Sequence, residues 1–241
     1  MAPTVQSFVN TFSMNLEEPV VTHLKSVYAC LSMSCISASV GSVLALTNHP
    51  LQFLTTGFMP FLLSLGSLIG LLMTPHDPVN RKGQQTRLAL LLTFCFCSGI
   101  SLGPLLDLVI QINPSIIVTA LIGTAVLFAS LSASALYARR GSYLFLGGLL
   151  GSVLSTMVLL SIGNLFFGSM IIHQLNLWVG FVVMSAFVLY DTQLIIEKRR
   201  MGETDYIGHS MDLFIDLIGI FRRLLIILTQ KEEQNQRKRK D

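Results

Sequence analysis

The chain is predicted to be an all-α integral membrane protein, on its composition, its seven long apolar segments and the placement of its basic residues. Of its 241 residues, 52% are hydrophobic and only 12% charged, and the mean hydropathy is +0.66. A soluble domain carries about 25% charged residues, roughly twice this share. So much apolar surface cannot be hidden in a chain of this size, which makes lipid its solvent.

The start, "MAPTVQSFVNTFSMNLEEP", has neither a basic n-region nor an apolar run before a small-residue cleavage site. It is expected not to be a signal peptide, and the first apolar segment then serves as the uncleaved targeting signal. A spanning helix needs about 20 mostly apolar residues. Six segments meet this directly, at approximately 28–46, 51–73, 88–111, 115–138, 143–166 and 171–196, and the seventh is 211–229. The expected organisation is a tail over 1–26, a membrane bundle over 27–229 and a basic tail over 230–241.

Lys25 precedes the first segment, Arg81, Lys82 and Arg87 lie between the second and third, Arg139 and Arg140 between the fourth and fifth, and Lys198, Arg199 and Arg200 after the sixth. The turns at "TNHP", "QINPS" and "FFGSM" hold no basic residue. That alternation predicts a cytosolic N-terminus. The tail "KEEQNQRKRKD" would then lie on the far side if the seventh segment crosses, against the same rule, so crossing and re-entrant readings both stand.

The pairs Gly66 and Gly70, Gly99 and Gly103, and Gly147 and Gly151 are G-x-x-x-G spacings that let helices approach closely, read here as packing within the chain. Pro104 is expected to kink the third segment. Cys30, Cys35, Cys95 and Cys97 all lie in apolar stretches and read as inert buried thiols. No nucleotide loop or histidine-rich metal set occurs, so no cofactor is expected, and the basic residues sit in membrane-flanking loops, which argues against nucleic acid.

The segment "MDLFIDLIGIFRRLLIILT" is the anomaly. Its twelve Leu, Ile and Phe residues favour insertion by about 5 kcal/mol in all, against about 10 kcal/mol for four central charges. It therefore needs protein or water along its polar side. At about 100° per residue, Asp212, Asp216, Gly219 and Arg223 share one narrow stripe, while Arg222 falls off it and can snorkel. Asp191, in "FVLYDTQLIIEKRR", is a second intramembrane acid. The short polar hinge 197–210 places segments six and seven side by side, so Asp191 and Asp216 can meet. Two carboxyls in a dry place share a proton. With the proton they latch two helices; fully ionised they repel. Asp107, near the uncharged turns, reads as an interfacial residue.

The stretches "SALYARRGSYLFLGG", "GNLFFGS" and "VLYDTQLIIEKRRMGETDYIGHSMDLFIDLIGIFRRLL" resemble the Bax-inhibitor motif family, its animal endoplasmic-reticulum branch in particular, from about Tyr28 to the basic tail. The resemblance implies six transmembrane helices around a central seventh. It also implies a pH-dependent calcium leak sensed by an aspartate pair, here Asp191 and Asp216, and suppression of cell death in the endoplasmic reticulum. It further implies an arginine that pairs with the aspartates, for which Arg87 is the candidate; Asp212 and Arg223 are supporting residues by their place on the stripe alone. The basic tail, Lys231, Arg237, Lys238, Arg239 and Lys240, is implied to serve pH response and the binding of cell-death regulators or calcium channels.

The leading expectation is a proton-gated, non-enzymatic calcium leak, with Asp191 and Asp216 as latch and weak transient calcium site. Calcium takes six to eight oxygen ligands, so two carboxylates suit passage better than storage. The alternative is a membrane scaffold that conducts nothing. An intramembrane aspartyl protease is disfavoured, because "FIDLIG" lacks a Gly-x-Gly-Asp and no Pro-Ala-Leu follows.

Overall fold

The computed structural model describes residues 16–47, 58–77 and 81–238. They form helices α1 (Glu18–Leu46), α2 (Met59–Met73), α3 (Arg81–Ile100), α4 (Gly103–Ile112), α5 (Ser115–Tyr137), α6 (Leu146–Phe167), α7 (Met170–Arg200) and α8 (Tyr206–Lys238), with no strand among the described residues. Residues 1–15, 51–57 of the second apolar segment, and Arg239 and Lys240 of the tail lie outside them.

Local chemistry sets the helix ends. Pro19 opens α1, where its missing N–H is no loss, and Glu18 sits favourably in the first turn. The helix thus begins ahead of the apolar segment, inside what composition assigned to the tail. Between α3 and α4, Pro104 cannot donate, and Ser101 and Leu102 turn instead onto the carbonyls of Cys97 and Gly99. The two helices are one kinked span. At the end of α7, Gly202 takes a φ of 97° and Glu203 N–H reaches back to the Lys198 carbonyl, which reverses the chain within a few residues and lays α8 against α7.

Among the described residues five helices are long and apolar enough to cross a membrane, counting α3 and α4 together, and α2 is a shorter apolar helix. The bundle is inverted relative to a soluble protein. Lipid-facing Leu165, Phe166 and Phe167 are more than 80% exposed, whereas the charged helix α8 buries Leu213, Phe214, Ile220 and Leu225 completely. It packs against α7, α1, α5, α3 and α4, with α2 mainly on α3 and α6 mainly on α7. The seventh segment is thus the core on which the others assemble.

With 33 residues, α8 is about 50 Å long, well over the roughly 30 Å of a bilayer core. It starts beside the basic turns and ends beside α7's first turn, where Gln174 Nε2 donates to Gln230 Oε1 at 3.2 Å. The helix crosses the whole bundle, and its extension 230–238 emerges at the uncharged end as continued helix rather than as a separate tail.

The small-residue spacings divide. A Cβ on Gly99 would lie 2.0 Å from the Ala38 carbonyl oxygen, and one on Gly103 would lie 2.6 Å from Ala45, so this pair clamps the kinked span onto α1. Gly147 makes room for Tyr190, while Gly66 and Gly151 face open space. The four cysteines are free, and only Cys35 is less than fully buried.

Candidate functional site

Asp191 comes from α7 near its basic end, and Asp216 from α8, two turns past the hinge. The neighbours in "DTQ" fix how α7 is turned. Thr192 Oγ1 meets Ser132 Oγ of α5 at 3.1 Å, and Ser132 in turn meets the Tyr28 hydroxyl of α1 at 2.5 Å. Gln193 donates to the Ala135 and Arg139 carbonyls and accepts from Tyr143 N–H, capping the end of α5 and its turn. With Thr192 and Gln193 pinned to α5, Asp191 is left facing α8.

The two carboxyls come within hydrogen-bonding contact. Asp216 is only 4% exposed, and its Oδ2 has no hydrogen-bond partner among the described residues. Asp212, one turn closer to the basic end, adds a third acid near the pair. No lysine, arginine or histidine pairs directly with any of these three among the described residues. Lys198, two turns beyond Asp191 on α7, is the cation that acts on Asp191 and Asp212 through space. The pair's surroundings are apolar, with Val188, Ile195, Leu213 and Phe214 buried around it.

Arg87 does not pair with the aspartates. Its buried guanidinium donates to the Thr74 carbonyl and to Asp205 Oδ2, so it closes the rim where α2, α3 and the hinge meet. Asp205 also accepts from Gly208 N–H at 3.1 Å, which caps the start of α8. The reason is positional: a guanidinium on the first turns of α3 reaches the hinge carboxylate before it reaches the middle of α8.

Above Asp212 lies a cavity of about 240 Å³, lined in part by Arg87, Lys198, Glu203, Asp205, His209 and Asp212. It connects the basic end with the acid stripe. On its wall, buried His209 shares a 2.9 Å hydrogen bond between its Nδ1 and Nε2 of His23 on α1. His209 Nε2 lies 3.4 Å from Glu203 Oε1, too poorly aimed to bond. Sequence reasoning missed Asp205 and this imidazole pair. An Asp immediately before the first turn of a helix is a readable cap signal; a contact across 186 residues is not.

Arg223, two turns past Asp216, is half-buried against α7 and donates to the Gly219 carbonyl at 3.2 Å. Arg222 is exposed, as snorkelling requires. Asp107 accepts from Gln111 at the exposed uncharged end. The basic residues Lys231, Arg237 and Lys238 are exposed on the helical extension.

Among the described residues no group of His, Cys, Asp and Glu could hold a metal ion as a closed set. The arrangement can hold or release a proton between two helices and can briefly attract a passing cation.

Residues 20–233 match the family described as "Inhibitor of apoptosis-promoting Bax1". The chain is 49% identical to the Bos taurus protein "Bax inhibitor 1" over 217 residues, covering 90% of this chain and 89% of that one. It is 48% identical to the Homo sapiens protein of that name, covering 90% of each. With the Drosophila melanogaster one it is 45% identical, over 98% of this chain and 93% of that one.

Proposed function

The chain belongs to the Bax inhibitor family, and from that premise we propose that it is a multi-pass membrane protein that suppresses apoptosis by letting calcium leak from the endoplasmic reticulum, gated by a proton held between Asp191 and Asp216. One observation carries the reading. Two carboxyls from facing helices touch in an apolar setting with no basic residue between them, below a cavity open toward the basic end.

A structural role would be expected to match each carboxylate with a cation, since unpaired intramembrane acids are expensive and mark pathways. Here the matching ion is a proton. While it is shared, α7 and α8 are tied at their midpoint. When it leaves, two like charges face each other in a poorly screened place and the helices part. Calcium can then engage the carboxylates transiently, too few ligands being present to retain it. The N-terminus and the basic turns lie in the cytosol, where anionic lipid favours them.

The test is calcium flux against pH in liposomes that contain the purified full chain. Flux is expected to rise as pH rises through the titration of the pair and to fall on acidification. In Asp216→Asn, the amide donates permanently to Asp191, so flux should stay low at every pH. An Asp216→Asn protein with the wild-type pH response sinks the gate.

The exposed basic residues Lys231, Arg237 and Lys238 favour a second role beside the first, the capture of cell-death regulators or calcium channels. Deleting 231–241 would then abolish capture while flux in liposomes persists.

A further inference from the structure

The α7–α8 contact is polar at three levels. Asp216, Arg223 and Gln230 recur every seven residues on α8, two turns and about 10 Å apart, and so share one face. Opposite them on α7 stand Asp191, Gly180 and Gln174. Acids occupy the first level, a guanidinium the second, and an amide pair the third.

The middle level is built around the arginine. A Cβ on Gly180 would lie 2.3 Å from Arg223 Nε and 2.9 Å from its Cζ, so any other residue there would occupy the guanidinium's place. Gly219, one turn before Arg223 on its own helix, likewise leaves room for Nη1 and for Met184, and its carbonyl accepts the hydrogen bond from Arg223. Met157 of α6 closes the same slot from the side. The adjacent Arg222 shows that an arginine on this turn can escape outward. Arg223 is instead threaded inward between two glycines on facing helices.

Among the described residues no carboxylate forms an ion pair with Arg223. A positive charge turned inward between two helices with no counter-ion is a cost that packing alone does not explain. Its position suggests what it does. A cation that reaches the acid pair from the basic end, or leaves it toward that end, meets Arg223 on the other side of the pair.

We infer that Arg223 is the electrostatic barrier of the leak, a fixed positive charge two turns beyond the acid pair that keeps cation passage slow and disfavours divalent ions more than monovalent ones. The inference rests on the reading of the acid pair as the cation path. It follows from the physics of a fixed charge in a narrow, poorly hydrated passage, where the barrier scales with the valence of the ion.

Valence supplies the test, because loosened packing would raise all fluxes alike. Full-length wild type, Arg223→Gln and Arg223→Lys are reconstituted into liposomes, and calcium and potassium fluxes are measured on the same preparations. Arg223→Gln is expected to raise potassium flux roughly threefold and calcium flux roughly tenfold, the larger factor being about the square of the smaller. Arg223→Lys keeps the charge and should stay within about twofold of wild type for both ions. If Arg223→Gln does not elute as a monodisperse protein, Arg223→Met replaces it, filling the slot with an apolar chain of similar length.

Equal increases for both ions, no increase, or an Arg223→Lys that behaves like Arg223→Gln each overturn the barrier. The underlying reading is scored separately. A conducting wild type with an indifferent Arg223→Gln leaves the acid-pair path standing and removes only Arg223. A silent wild type with a conducting Arg223→Gln upholds the barrier. Silence in every variant overturns both. In a conducting Arg223→Gln background, adding Asp191→Asn must abolish the excess flux, and persistence of that excess shows a different path and overturns the assignment.

Discussion

The charges at the rim and the charges in the middle of the bundle obey opposite rules. At the basic end Arg87 holds Asp205, and Arg140 grips Glu197 through three hydrogen bonds of 2.8 to 2.9 Å while Arg200 binds the same carboxylate at 2.7 Å. In the interior Asp191 and Asp216 face each other, and Arg223 stands two turns away without a carboxylate. The rim uses charge to fix geometry, and each of these guanidiniums finds a carboxylate. The interior leaves two acids together and a guanidinium without a carboxylate among the described residues.

The comparison breaks most severely at Arg87. Its side chain is 7% exposed and that of Asp205 is 16%, so removing one partner strands a buried charge. Asp205→Ala is expected to destabilise the protein by about 3 to 5 kcal/mol, with some of the loss from the α8 cap. Thermal unfolding in detergent measures it. A fall below about 1 kcal/mol would place this pair among ordinary exposed ion pairs and erase the distinction between rim and interior.

That rim also shows where sequence reading stopped. Apolar length is a local property, so the seven segments, the kink at Pro104 and the adjacency of α7 and α8 through a short hinge could be read directly. The encounter of Asp191 with Asp216 followed from helical phase and that hinge. Arg87 was assigned to the acids by resemblance, yet its partner depends on how α2, α3 and the hinge converge, which no spacing encodes. The glycine pairs teach the same lesson. Gly99 and Gly66 head identical motifs, but only Gly99 has a helix against it, because a motif shows which face is smooth and not whether a neighbour is there. The inward turn of Arg223 and the outward turn of Arg222 were legible from phase. The glycine on α7 that receives Arg223 was not.

Asp216→Asn sharpens the comparison from the interior side. Where the rim loses stability on removal of a charge, the interior should gain it, because the amide can donate to Asp191 and relieve two acids of sharing one proton. The expected gain is about 1 kcal/mol, seen as a higher unfolding temperature above the pH at which the wild-type pair gives up its shared proton, and it shrinks on acidification as the pair recovers that proton. A destabilised Asp216→Asn would mean that the acid is a structural partner after all, and the contrast would fail from within.

Arg140 gives the smallest effect and the strictest control. Its hydrogen bonds to Glu197 are short and bidentate, yet its side chain is 69% exposed and Glu197 keeps Arg200 as a second partner. Water and salt compete freely for such a guanidinium, and two long side chains lose freedom in holding it. Arg140→Ala should therefore lower the unfolding temperature less than Asp205→Ala does, and its effect should vanish at high ionic strength while that of Asp205→Ala persists. If Arg140→Ala instead matches Asp205→Ala and persists in salt, burial is not what separates strong from weak pairs here. The reading of Asp191, Asp216 and Arg223 as charges kept unmatched for function would then lose its physical footing, since it depends on interior charges costing more than exposed ones.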